Sequence, residues 1–315
     1  MPPGNHMPDT IRRAPMPLRA LAACLGLLPR GRMRVARLFS QYLARQDPFV
    51  ASFDDPPISF DILLKDLVCR YLFLEGNWEP TASATWKALA KPGHTVFDVG
   101  AHYGYFTLLA AQRALPAGKV VAFEPSTRIR TQLQANLALN GNPPVTVEPF
   151  AAAAGRGTAL FDEMGFDDSG RAHIVGNGDA GADRKVSRIE TVGLDEYRRD
   201  RDIARVDLMK MDIEGGEAAA LEGMREGLAG GAYPRLLVEI HPGPLQDQGK
   251  DALVLIRSLQ DLGYSCWALP KRMPGLWGHR GPPRFTPRIL SRFEGSVPPA
   301  HSQFLFLGKG IPLPD

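Results

Sequence analysis

Apolar positions along this chain alternate between two periods. Thr95–Val99, Lys119–Phe123, Val145–Val147, Val206–Met211, Leu236–Ile240, Tyr264–Ala268 and Gln303–Leu307 are short apolar or β-branched runs that read as strands. Between them, Tyr105–Ala114, Thr127–Asn140, Glu217–Leu228 and Ala252–Leu262 carry helical spacing, and Gly141 closes the second of these. Strands alternating with helices imply crossover units and a mostly parallel sheet. Two segments interrupt the alternation. Asp162–Arg184 is rich in Gly and Asp and reads as a loop or hairpin insertion, and Lys271–Arg292 is rich in Pro and Arg with no acid. No internal repeat is visible.

Ahead of this region the texture differs. Residues 1–46 hold eight arginines against one acid, Asp9, and two short helical patterns, Leu18–Leu28 and Met33–Leu43, joined by Pro-Arg-Gly. The chain therefore divides into a basic, mainly helical extension over 1–54 and a main domain over 55–315. The arginines read either as the solvated side of a helical cap or as a basic face making weak contact with an anionic membrane surface or a partner.

Composition narrows the class. With 315 residues, 44% hydrophobic and 23% charged, the chain is globular and long enough to bury a core without disulfides. Its net charge of +3 is too small to argue for nucleic acid. Three scattered cysteines, Cys24, Cys69 and Cys266, form no Cys-x-x-Cys pair and no disulfide framework. No run reaches membrane-spanning length, and Leu18–Leu28 lacks the cleavage pattern of a signal peptide. The expected compartment is the cytoplasm.

The chemistry concentrates at strand ends. The first strand ends in Asp98, and Gly100, Ala101, His102, Tyr103 and Gly104 then turn the chain into a helix. Glycines let backbone approach a ligand closely. A dinucleotide fold would show Gly-x-Gly-x-x-Gly; this turn is Gly-x-x-x-Gly with an acid before it, which suits amino or hydroxyl groups better than a pyrophosphate. The next strand ends in Glu124, 20 residues past Gly104, where a carboxylate can take both hydroxyls of a ribose. A nicotinamide cofactor and a plain strand–helix turn both remain open on these residues alone.

The stretches FDVGAHYGYFT, VVAFEPS, VDLMKMDIEGGE and LLVEIHP, with EGNWEP ahead of them, resemble the FkbM-type family of class I S-adenosylmethionine-dependent methyltransferases. The resemblance covers about residues 70–310. It implies an α/β, Rossmann-like sheet of seven strands, mostly parallel with the last antiparallel, and helices on both faces. It also implies that Gly100–Gly104 wrap the methionine and ribose of S-adenosylmethionine. Glu124 would hold the ribose, Pro125 and Ser126 would shape the adenine side, and Asp98 would face the amino-acid end. No acid follows the third strand at Pro149-Phe-Ala-Ala, so backbone groups are expected to read the adenine.

A second group, Lys210, Asp212, Glu214, Glu239 and His241, also falls at strand ends. Acids gathered on one rim repel unless paired or used. Methyl transfer needs an aligned acceptor and a base for its proton. His241 has the right intrinsic pKa for that base, Asp212 or Glu239 would orient it or take the proton, and Lys210 would offset acid charge. Glu217 reads as an acid favouring its helix dipole. Asp212, Glu239 and His241 would suit a divalent ion, yet no motif specifies one and none is expected. The function expected is O-methylation of a hydroxyl on a glycan or small secondary metabolite. The alternatives are a non-catalytic adaptor that keeps the fold and an NAD-dependent oxidoreductase.

Overall fold

The computed structural model describes residues 48–54, 57–164, 170, 172–175, 186–270, 285–295 and 302–314, with Met16, Leu18, Ala20 and Cys24. β1 (Phe49–Asp54) and β2 (Pro57–Ile62) pair as an antiparallel hairpin that buries Phe49, Ile58, Phe60 and Ile62. α1 (Leu67–Glu75) begins where the Asp66 side chain accepts from the Cys69 N–H at 3.0 Å and stops at Gly76. α2 (Pro80–Leu89) starts on a proline, whose missing N–H costs nothing in a first turn.

The expected alternation follows: β3 (Thr95–Val99), α3 (Tyr105–Ala114), β4 (Lys119–Phe123), α4 (Thr127–Leu139) and β5 (Thr146–Glu148). β6 (Phe150–Ala152), β7 (Gly157–Asp162), β8 (His173–Val175) and β9 (Val186–Val192) leave the central sheet and form a small second one, ordered β6-β9-β7-β8. The chain returns through α5 (Leu194–Asp200), β10 (Leu208–Met211), α6 (Glu217–Glu222), α7 (Arg225–Ala229), β11 (Arg235–Ile240), α8 (Pro242–Asp247) and α9 (Ala252–Asp261). β12 (Ser265–Leu269), β13 (Ser291–Arg292) and β14 (Ser302–Leu307) complete it.

The central sheet runs β13-β12-β14-β11-β10-β3-β4-β5. β3, β4, β5, β10 and β11 are parallel, and β14 inserts antiparallel between β11 and β12. These are the seven strands expected, with the last in sequence antiparallel; β13 adds two residues at the β12 edge. Successive strand residues feed opposite cores. Val96, Val120, Leu208 and Leu237 join one apolar cluster, and Phe97, Val121, Met209 and Leu236 join the other. Burial on both faces is why these strands read as continuous apolar runs.

Some expectations differ from the structure. The helix expected over Glu217–Leu228 is two helices that part at Gly223 and Met224, and Gly223 packs so closely on Ala153 that a Cβ there would lie 2.0 Å from the Ala153 carbonyl oxygen. The insertion expected at Asp162–Arg184 contributes a hairpin arm, with Asp162 opposite His173; most of the rest lies outside the described residues. So do most of the 1–54 extension and most of Lys271–Arg292. The β1–β2 hairpin straddles the boundary set at residue 55. Among the described residues, no helix is long and apolar enough to cross a membrane.

Candidate active site

The chain leaves β3 toward β4 on one side, while β10 joins it on the other. Ligands of open α/β sheets bind beyond the strand ends at such a reversal. Here the turn after β3 presses against the end of β10. Gly100 has φ +81°, and a Cβ on it would stand 2.0 Å from the Asp212 carbonyl oxygen, so no side chain fits. The Gly100 and Ala101 N–H groups donate to the Phe123 carbonyl at 3.1 and 3.0 Å, lacing the turn to the end of β4. From α4, Asn136 Nδ2 donates to the Tyr103 carbonyl at 2.8 Å, and its Oδ1 accepts from the Asp61 N–H at 2.8 Å. One buried amide thereby ties the turn to the β1–β2 hairpin.

A cavity of about 500 Å³ opens over these strand ends. Gly100, Ala101, His102, Tyr103, Glu124, Pro125, Lys210, Asp212, Glu214 and Glu239, all expected site residues, line it. Four other expected residues lie behind its wall. Asp98 is buried and accepts from Thr107 Oγ1 at 2.5 Å. Gly104 is the N-cap of α3. Ser126 caps α4 by accepting from the Ile129 N–H at 3.3 Å, and it also bonds Glu163. His241, 1% exposed, is the fourth.

Glu124 is the hinge of the ribose reading. Its Oε2 accepts from the His102 N–H and its Oε1 from the Ser126 N–H, both at 2.9 Å. Burial pushes its pKa up to about 7, against the pull of these two hydrogen bonds. Each oxygen keeps a further lone pair for a hydroxyl donor. Phe150, Ala151, Ala152 and Phe161, from the strands around the second sheet, supply an apolar wall beside it. A carboxylate next to an apolar slot fits a ribose with an attached base.

The other end of the cavity is acidic. Lys210 Nζ donates to Asp212 Oδ2 at 2.8 Å and stands 4.6 Å from the Phe106 ring centre. Burial opposes its charge, but Asp212, Glu79 and Asp98 outweigh that and raise its pKa. His241 Nδ1 is 2.7 Å from Glu217 Oε1, and its Nε2 lies 3.5 Å from Glu214 and 3.9 Å from both Asp212 and Glu239. Burial opposes charge here too, yet the Glu217 hydrogen bond and the Asp212 and Glu214 carboxylates push His241 up to about 9. This bias toward the protonated form weighs against His241, read from sequence as a base, taking an acceptor's proton while no bound cation neutralises the surrounding carboxylates. Glu217 is wholly buried and also accepts from the Gly215 N–H at 3.0 Å, so it anchors a neighbour as well as starting α6. Burial pushes Glu214 up to about 7.

Sequence reading missed Glu79. It lines the cavity beside Lys210, Asp212 and Glu239, with one carboxyl oxygen buried and without a hydrogen-bonding partner. Burial holds its carboxyl well above the usual range; Lys210 opposes this, and Glu239 and Asp212 add to it. The available signal was its place before Pro80 in EGNWEP. Glu79, His102 and Glu214 all line the cavity with positive φ, at +46°, +50° and +49°. Such backbone costs non-glycine residues about 1–2 kcal/mol each, and strain of this kind collects at functional sites. Of the four tryptophans, Trp78 lines the cavity and Trp86 is core, its Nε1 donating to the Phe106 carbonyl at 3.1 Å.

The sequence matches the family model described as the methyltransferase FkbM domain over residues 98–266, more than half of the chain. The AMB antimetabolite synthetase AmbE of Pseudomonas aeruginosa is 29% identical over 182 residues, covering 48% of this chain and 8% of that protein. Methyltransferase sdnD of Sordaria araneosa is 29% identical over 159 residues, covering 42% of this chain and 60% of that one. The chain thus spans less than two thirds of either relative. Among solved structures, an O-methyltransferase from Bacillus cereus in complex with SAH has a TM-score of 0.39 at 14% identity, covering 73% of this chain and 81% of that one. A SAM-dependent O-methyltransferase from Thermotoga maritima has a TM-score of 0.38 at 15% identity, covering 72% and 64%. By the domain that its glycine turn, strand-end acids and central sheet build, the chain belongs to the FkbM methyltransferase family.

Proposed function

We propose that this chain is an S-adenosylmethionine-dependent methyltransferase acting on a hydroxyl of a glycan or small metabolite. The observation that carries the proposal is one cavity joining a carboxylate poised for a ribose, Glu124, to a cluster of charged side chains around Asp212. The residues present fit the cofactor. Glu124 would accept from the ribose hydroxyls, the Gly100–Tyr103 turn would cradle the amino-acid arm, and Phe150 and Ala151 would cover the base. When bound, S-adenosylmethionine supplies a methyl group on a positively charged sulfur.

A hydroxyl accepting that methyl group in exchange for the sulfur–carbon bond would have to give its proton to a base of this chain. Glu214 follows β10, lines the cavity and has a side chain 17% exposed, so it can receive that proton directly. Lys210 compensates the charge of Asp212 and keeps the acidic rim from repelling itself. Leu67 and Val68 of α1, with Trp78 and Glu79 just ahead of α2, line the cavity and would help hold an acceptor against the methyl group.

The test is release of S-adenosylhomocysteine from labelled cofactor across a panel of hydroxylated glycans and polyols. Label recovered in base-stable methyl ethers supports the reading. Label recovered in methylated amines or in esters cleaved by mild base overturns the hydroxyl assignment.

A further inference from the structure

We propose that Asp212, Glu239 and His241 form a divalent-cation site at the acidic end of the cavity, with its open side toward the acceptor. One ligand atom from each of the three lies within 4.8 Å of the others. Nitrogen and oxygen ligands about 2.0–2.2 Å from one ion stand about 3–4.4 Å apart. His241 Nε2 is 3.9 Å from Asp212 Oδ1 and 3.9 Å from Glu239 Oε1, inside that span.

The stronger argument is how each ligand is held. Asp212 gives its other oxygen to Lys210 Nζ at 2.8 Å. Glu239 gives its other oxygen to Gln303 Nε2 at 3.0 Å, across the β11–β14 pair. His241 bonds Glu217 through its other nitrogen at 2.7 Å. Each group is thus held from outside through one atom while another comes within 4.8 Å of its counterparts, and an ion bound there would displace the proton from His241 Nε2. Outer partners of this kind orient the ligands of metal sites.

A second observation points to the same place. Glu79, whose carboxyl contacts Glu239, holds an oxygen that is buried and without a hydrogen-bonding partner, a group that costs stability unless something positive meets it. One imidazole with two carboxylates suits a hard or borderline ion such as Mg²⁺, Mn²⁺ or Zn²⁺. Asp212 and Glu239 line the cavity while His241 closes the site from behind, so open positions face the space where an acceptor oxygen would sit. A bound cation would make that hydroxyl more acidic. This last role rests on the methyltransferase reading, whereas the cation site does not.

The test is a titration of the EDTA-treated full chain with Mn²⁺, followed by electron paramagnetic resonance, with S-adenosylhomocysteine binding measured on the same sample. The expected result is one Mn²⁺ per chain with histidine-nitrogen coupling in pulsed spectra. Glu239→Gln and Asp212→Asn should each weaken it at least tenfold, with circular dichroism confirming the fold. Mn²⁺ left free at millimolar concentration, or bound without nitrogen coupling and indifferent to both substitutions, overturns the site. If that happens while S-adenosylhomocysteine still binds, only the cation proposal fails; if Mn²⁺ binds and S-adenosylhomocysteine does not, the methyltransferase reading fails.

Discussion

Replacing Glu124 by glutamine exchanges one oxygen for an amide nitrogen where both oxygens already accept, one from His102 and one from Ser126. One backbone N–H then faces another donor, which costs about 1–3 kcal/mol in a buried setting. The charge-assisted bonds to the ribose hydroxyls are lost as well, at about 1.5–3 kcal/mol. That corresponds to S-adenosylhomocysteine binding about ten- to a hundredfold weaker. pH provides an independent signature. Burial pushes Glu124 up to about 7, so the ionised fraction falls steeply below neutrality. Wild-type affinity should weaken toward tenfold between about pH 8 and about pH 6, while the glutamine variant stays flat. The stability sign is opposite. A carboxyl whose folded pKa exceeds its unfolded value stabilises the unliganded protein fully below the unfolded pKa and loses that contribution as pH rises through about 7. From a model value of 4.5 this amounts to about 3 kcal/mol between wild type and variant across the window. Calorimetry at several pH values and urea unfolding read the two effects. A flat wild-type profile, or a glutamine variant that binds within threefold of wild type, would refute the role given to Glu124.

Gly100→Ala should destabilise by at least ~2 kcal/mol and abolish S-adenosylhomocysteine binding, since a Cβ at φ +81° meets the Asp212 carbonyl oxygen at 2.0 Å; an unchanged melting temperature with intact binding would contradict the packing. Asn136→Ala strands the Asp61 N–H and the Tyr103 carbonyl and should cost about 2–4 kcal/mol in urea unfolding. A loss under half that figure would mean that water replaces the amide. The Cys266 thiol, 1% exposed and pushed up to about 12 by burial, should resist a disulfide reagent at mild alkaline pH until the protein is unfolded. Rapid native modification of Cys266, located by mass spectrometry, would show that the strand opens.

The central sheet was legible because its strands are buried on both faces and bounded by helices of clear period. β3, α3 and β4 begin and end at the residues read from sequence. The second sheet was not: Phe150–Ala152 and His173–Val175 are three-residue strands with no period to read, and Gly157–Asp162 and Val186–Val192 pair across a long Gly- and Asp-rich stretch that masks their partnership. The β1–β2 hairpin was hidden by Pro57 at the start of its second strand, which reads as a break. In the site, ten expected residues reach the cavity because strand ends and the glycine turn fix their positions along the chain. His241 shows the limit. Its type suggested a base, but its protonation is set by Glu217, Asp212 and Glu214, and which charges surround a side chain is a property of the fold. Glu79 escaped because it approaches from a separate helix start, joined to the acidic rim only by packing.

The most direct measurement is a calorimetric titration of the purified chain with S-adenosylhomocysteine, with NADH as comparator. A cavity built on Glu124 and the Gly100–Gly104 turn predicts saturable heat for the sulfur ligand at one site per chain and none for NADH. Heat from NADH, or silence from S-adenosylhomocysteine at millimolar concentration, would contradict it.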